Sequence, residues 1–269
     1  MKKSIGLMIV FTLYFSGCVS LDKGNFGHFK RSLNHKTYGY QVKEDTTTMA
    51  PTKMIEVFEV KDGDCSSNSG WSDCDNDRER SELSGTKDNY PGNEYWYGWS
   101  IYFPQNYINI YPTKTALGQF HQKSSHPIWM FQNFSGGYHL DQQVHGSTEK
   151  YYKLLNEKEL RKKWHKVELH VRWSKKSDGF FRVWINGVQK VNYSGQTMDA
   201  SQAYFKYGIY RSFLSRYISK KKWDVLGNLP PDSPKEAYQI EDPKIPTQIV
   251  YYSNVKRANS REKLLPQKD

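Results

Sequence analysis

The eight residues Tyr204-Phe205-Lys206-Tyr207-Gly208-Ile209-Tyr210-Arg211 alternate with a period of two. Read as a strand, they put Tyr204, Lys206, Gly208 and Tyr210 on one face and Phe205, Tyr207 and Ile209 on the other. The second face can pack a core. The first carries two phenols and an ammonium around a glycine, which leaves room for something to approach the backbone. Taken alone, an ordinary half-buried strand with tyrosines on its wet side would look the same.

The habit recurs along the chain. Met54–Val60 and residues 94–104, 164–173 and 247–255 read as strands, with a first strand near 38–42. Residues 129–134 and 138–144 form a hairpin over Gly136-Gly137. Phe180–Ile185 and residues 188–193 form another over Asn186-Gly187, the strongest turn pair in the sequence. The charged stretch 154–163 reads as a turn or two of helix, 213–226 as a basic, aromatic loop or short helix, and 229–246 as irregular. There is no repeat and no second regime of composition. Many short antiparallel strands at steady spacing predict an all-β fold, a two-sheet antiparallel sandwich of the jelly-roll, concanavalin-like kind.

Composition narrows the partner. With 20 Tyr, 13 Phe and 8 Trp the chain suits stacking of sugar rings, although most of these aromatics belong to the core. A net charge of +11 attracts a polyanion, either nucleic acid or acidic polysaccharide, and a solvated basic surface would carry the same charge.

The N-terminus bears on that choice. Met1-Lys2-Lys3 precedes an apolar stretch, residues 5–15, too short to span a bilayer as a mature helix. Phe15-Ser16-Gly17-Cys18 then resembles a bacterial lipobox, which implies cleavage before Cys18 and a lipid on that cysteine, the alternative being a plain secretory signal cleaved nearby. Val19 rather than Asp follows, which in a Gram-negative cell implies sorting to the outer membrane. The expected organisation is a lipoprotein signal peptide over 1–18, a tether and first strand over 19–49, one sandwich domain over 50–256 and a loose tail over 257–269. An exported lipoprotein at the cell surface or in the periplasm excludes nucleic acid as the natural partner. It leaves acidic polysaccharide, membrane contact through the lipid alone, and a monomer.

Cys65 and Cys74 lie in a polar, turn-rich loop, and in an oxidising compartment two cysteines this close are expected to pair. Asp62, Asp64, Asp73, Asp75 and Asp77 cluster around them. Such acids could hold a structural calcium, but the spacing is not that of an EF-hand and turns are rich in Asp anyway.

Two further segments share the polar-faced alternation. Residues 77–83 project Arg78, Arg80 and Glu82 to one side, a costly set to bury, so that face is solvent or the floor of a polar groove. Gln119, His121 and Lys123 share a face opposite Phe120. Together, Arg80-Ser81-Glu82-Leu83, Gln119-Phe120-His121 and Tyr204-Phe205-Lys206-Tyr207-Gly208-Ile209-Tyr210 resemble the β-jelly-roll polysaccharide lyases of the heparin lyase I-like and alginate-lyase-like kind. The resemblance covers roughly residues 50–256. Trp164-His165-Lys166 and Trp184-Ile185-Asn186-Gly187 look closer to the heparin lyase I-like group. Arg211-Ser212 stands where an Asn-Gln pair follows in the alginate-lyase pattern, which counts against alginate as substrate.

That resemblance implies β-elimination on a uronate-containing glycan. The C5 proton is barely acidic while the neighbouring carboxylate is charged, so donors must neutralise that carboxylate and the enolate-like intermediate. Arg80, Gln119 and Arg78 or Lys206 would supply them, with Tyr204, Lys123 and Arg211 also binding substrate. Glu82 would orient Arg80. By resemblance Tyr210 is the acid that protonates the leaving O4 oxygen, and His121 or Tyr210 itself is the base. A phenol of pKa about 10 is a poor base, and Lys206 and Arg80 are expected to lower it. The scheme requires no cofactor or metal. The competing reading is a non-catalytic acidic-glycan-binding module of the same fold, which would not need His121 or Tyr210.

Overall fold

A computed structural model describes residues 21–266. The expected signal peptide and lipidation at Cys18 fall outside the described residues. In chain order the strands are β1 (Lys30–Arg31), β2 (Tyr40–Glu44), β3 (Met54–Val60), β4 (Ser67–Asn68), β5 (Trp71–Ser72), β6 (Arg78–Ser84), β7 (Glu94–Tyr102) and β8 (Lys114–Gln122). They continue as β9 (Pro127–Phe134), β10 (Gly137–Gln142), β11 (Lys150–Asn156), β12 (Trp164–Arg172), β13 (Phe180–Ile185), β14 (Val188–Ser194), β15 (Ala203–Ser212) and β16 (Gln248–Ala258), with one helix, α1 (Leu214–Leu226).

Two seven-stranded sheets face each other. One runs β1-β6-β15-β8-β9-β10-β11 and the other β14-β13-β12-β7-β16-β3-β2. Within them neighbours pair antiparallel, so the expected two-sheet sandwich is what forms. The short β4–β5 hairpin stands apart. Alternation decides which side chains meet between the layers. Phe205 of β15 lies 5.3 Å from Trp99 and 5.0 Å from Phe120, and Tyr207 lies 5.5 Å from Phe58 of the opposite sheet. Phe205 is 2% exposed, so truncating it to Ala should cost about 3–5 kcal/mol.

Of the stretch 154–163, expected to form a turn or two of helix, residues 154–156 end β11, which pairs along β10 from Gln142↔Lys150 to Gly137↔Asn156. Leu154 and Leu155 are the buried residues of that strand, and the charges that suggested helix, from Glu157 to Lys163, lie past its end. Helical character is confined to a 3-10 turn, Glu157–Glu159, capped by Asn156. Residues 213–226 give a true helix of 13 residues.

Gly208 does not make room for a ligand. It sits at a bulge in the β15–β8 register with φ of +127°, and a Cβ there would lie 2.4 Å from the Ser81 carbonyl oxygen and 2.7 Å from the Phe58 ring. The glycine is needed because the core fills that space.

Candidate active site

The outer face of the first sheet floors a cleft of about 720 Å³. Register explains the convergence. On β15, Tyr210 pairs with Arg80 of β6, while Lys206 and Tyr204 pair with Gln119 and His121 of β8. Arg78, Arg80, Gln119, His121, Tyr204, Lys206 and Tyr210 all line the cleft.

Glu82 is the hub beneath them. It is 2% exposed, and its carboxylate meets Lys206 Nζ at 2.5 Å, Arg80 Nη1 at 3.3 Å and Gln119 Nε2 at 2.5 Å. Asp73 holds the far side of Arg80 in a two-pronged ion pair, with Nε to Oδ2 and Nη2 to Oδ1 both at 2.6 Å. Two cations thus face two carboxylates, and this cluster carries no net charge. Arg78 differs. Among the described residues no carboxylate pairs with it, and its guanidinium lies 4.1 Å over the Phe213 ring while Nη1 donates to the Asp77 carbonyl. Glu82 therefore orients Gln119 and Lys206 as well as Arg80.

Phe213 marks the cleft wall. Its φ of 62° is left-handed, which for a non-glycine costs about 1–2 kcal/mol. The turn is held by the Phe213 N–H donating to the Asp77 carbonyl, by Thr113 Oγ1 donating to the Phe213 carbonyl, and by Arg78 and Arg216 against the Phe213 ring.

The two proton-transfer candidates are in opposite condition. His121 Nδ1 lies 2.8 Å from the Gln122 carbonyl oxygen, an acceptor only, so Nδ1 carries the hydrogen and Nε2 keeps its lone pair. Burial pushes this imidazole down to about 4, so it is neutral at pH 7. Tyr210 shows the reverse of what was expected. Burial raises its phenol above the ordinary value, outweighing the lowering by Arg80, which lies 4.2 Å from its ring, and by Arg78. Its hydroxyl has no hydrogen-bond partner among the described residues. Tyr204 is pushed up to about 12 by burial and by Glu82, and its ring lies 5.4 Å from that of His121.

Two expected contacts do not reach the cleft. Lys123 lies one residue past the end of β8, beyond a register shift at Phe120/His121, and is exposed outside the cleft lining. Arg211 is turned to the interior with 0% exposure, where it pairs with Glu79 and donates to the Lys61 and Pro246 carbonyls. Alternation dictates this, since its neighbour Tyr210 already takes the cleft face.

Cys65 and Cys74 are disulfide-bonded. The closed loop adds parts that the strand pattern did not reveal: Asn68 and Trp71 line the cleft, and Trp71 Nε1 donates to Asp73 at 2.8 Å. An exposed Trp in a small, cysteine-closed loop was the available signal. The aspartates of this region go to separate partners. Asp64 accepts from Tyr38, Asp62 from the Ile245 N–H and Asp77 from Ser215, and among the described residues no three metal-ligating side chains converge.

A family model described as polysaccharide lyase matches residues 21–256. No curated protein matches the sequence. Among solved structures, an endo-β-1,4-glucuronan lyase from the fungus Trichoderma reesei superposes with a TM-score of 0.58 at 13% identity, covering 92% of this chain and 98% of that one. A variant of family 7 alginate lyase A1-II′ in complex with product gives 0.52 at 12% identity, covering 88% and 97%. An alginate lyase from Corynebacterium sp. gives 0.51 at 14%, covering 88% and 95%. At these identities the likeness is one of fold.

Proposed function

This chain belongs to the polysaccharide lyase family and is a polysaccharide lyase, and we propose that it cleaves an acidic, uronate-containing glycan by β-elimination, leaving a 4,5-unsaturated uronate end. The observation that carries this reading is the pairing of a base-ready His121 Nε2 with an unpartnered, protonated Tyr210 in one cleft. A non-catalytic binding site would need neither.

In this reading Arg78, whose charge no carboxylate cancels, meets the substrate carboxylate, and the donors of Arg80, Gln119 and Lys206 not spent on Asp73 and Glu82 assist. Draining charge from the carboxylate stabilises the enolate-like intermediate as C5–H breaks. His121 Nε2 takes that proton. The electron pair forms the C4=C5 double bond, the C4–O4 bond breaks, and the Tyr210 hydroxyl gives its proton to the departing oxygen. Tyr210 is poorly suited to be the base, because burial favours its neutral form.

The test is ultraviolet absorbance of the unsaturated uronate, using protein lacking residues 1–18 and a panel of heparin, heparan sulfate, glucuronan, hyaluronan, alginate and polygalacturonate. A rise on one polymer supports the reading and identifies the substrate. A flat trace on all of them, with retardation in a gel containing one, would replace elimination by binding alone.

A further inference from the structure

The cleft face continues past the cleavage centre onto β9, β10 and β11. On β9, Phe134 has the same parity as Met130, which lines the cleft, so its ring stands on the same side. Tyr151 of β11 pairs with Asp141, which pairs with Met130, and so shares that side too. The Phe134 and Tyr151 rings lie 6.0 Å apart, inclined by 17°, and Tyr111 meets Phe134 edge-on at 5.0 Å. Core aromatics in this protein are nearly all below 5% exposed, yet Tyr151 is 40% and Tyr111 43% exposed. Lys114 joins this group to the cleavage centre. It lines the cleft, its Nζ lies 5.7 Å from the centroids of both Phe134 and Tyr151, it donates to the Tyr151 hydroxyl at 3.1 Å, and it also lies 3.7 Å from Oδ2 of the buried Asp141.

Two exposed rings around the half-buried Phe134, beside a cation and continuous with a cleft for an acidic glycan, match one occupant. We propose that Phe134, Tyr151 and Tyr111 with Lys114 form an outlying subsite for a uronate unit of the bound chain, remote from the bond that breaks. The sugar ring stacks on the aromatic edge, and its carboxylate meets Lys114. The subsite would make the enzyme prefer long chains. This rests on the uronate-lyase reading above.

The experiment compares kcat/KM on glucuronan (or on alginate if that is the polymer the wild type cleaves) with kcat/KM on a length series of its oligosaccharides. Tyr151→Ala and Phe134→Ala should each lose roughly tenfold on the polymer, the size of one stacking contact, and far less on the shortest cleaved oligomer. Tyr151→Phe keeps the stacking surface and should retain most of the length preference. Lys114→Gln should flatten the salt dependence of KM on the polymer. Equal losses on long and short substrates, or no loss on either, would overturn the subsite while leaving the lyase reading intact. A wild type that cleaves no uronate polymer would overturn the reading, and the subsite with it. Matching melting temperatures for wild type and variants exclude misfolding as the cause.

Discussion

Two ion-pair clusters stand back to back on β6 and β15. On the cleft side, Arg80 and Lys206 share Glu82, and Asp73 completes the set. On the core side, Glu79 holds Arg211 and also accepts from the Gly63 N–H. Both arginines are nearly sealed, at 6% and 0% exposure, and each is followed by a serine in the sequence. What differs is what stands beside them. Next to the outer cluster are His121 Nε2 and the Tyr210 hydroxyl, neither paired among the described residues. The inner Arg211 is spent on Glu79 and two backbone carbonyls that it ties together. Neighbours in sequence, Tyr210 and Arg211 therefore do different work: one is placed for chemistry, the other fastens the layers.

Breaking each cluster in turn sharpens this contrast. Tyr210→Phe removes the proposed acid without disturbing any hydrogen bond of the fold, so kcat should fall by about 10²–10⁴ with an unchanged melting temperature. Retained turnover would remove Tyr210 from the mechanism. Arg211→Met should do the opposite. It leaves the buried Glu79 carboxylate uncompensated, at a cost of about 3–5 kcal/mol in denaturant unfolding, while the protein that remains folded keeps its KM. A normally stable Arg211→Met protein with a raised KM would return Arg211 to the substrate side and erase the distinction. Asp73→Asn is milder, since Glu82 still pairs with Arg80. Unfolding free energy should drop by about 1–3 kcal/mol and kcat/KM should fall with it, as Arg80 loses its two-pronged partner. Unchanged kinetics would show that Arg80 acts only as scaffold.

Much of this was legible in the sequence because strand parity is a local property. Met54–Val60 and Phe180–Ile185 have the bounds that alternation and turn residues predict. Arg80, Glu82, Gln119, His121, Lys206 and Tyr210 could be assigned to one face of their strands before any pairing was known. What alternation cannot supply is which strands become neighbours and which charges meet. Arg211 looked like a groove residue because it follows Tyr210, and only its burial against Glu79 shows otherwise. Lys123 kept the parity of Gln119 and His121, but β8 ends before it. Asp73 and Trp71 lie in a loop whose approach to Arg80 depends on the disulfide and on tertiary packing. The lowering of Tyr210 expected from its cationic neighbours failed because desolvation, which sequence does not show, is the larger effect.

The smallest expected effect is the most telling for the choice of base. With His121 held near 4, its base form is present at every pH above that and is lost as pH falls through it. With Tyr210 raised by burial, its acid form persists through and beyond the ordinary phenol range. Both groups are then in the required state over a wide span, and kcat/KM should stay nearly flat from about pH 5 to 9 at constant ionic strength. If instead a Tyr210 phenolate were the base, the rate would climb with each unit of pH across that span, because only the rare ionised form would react. The alkaline side decides the matter, since on the acid side a substrate carboxylate with an ordinary pKa near 4 titrates together with the imidazole. A rising profile would move the base from β8 to β15 and leave His121 to position the sugar.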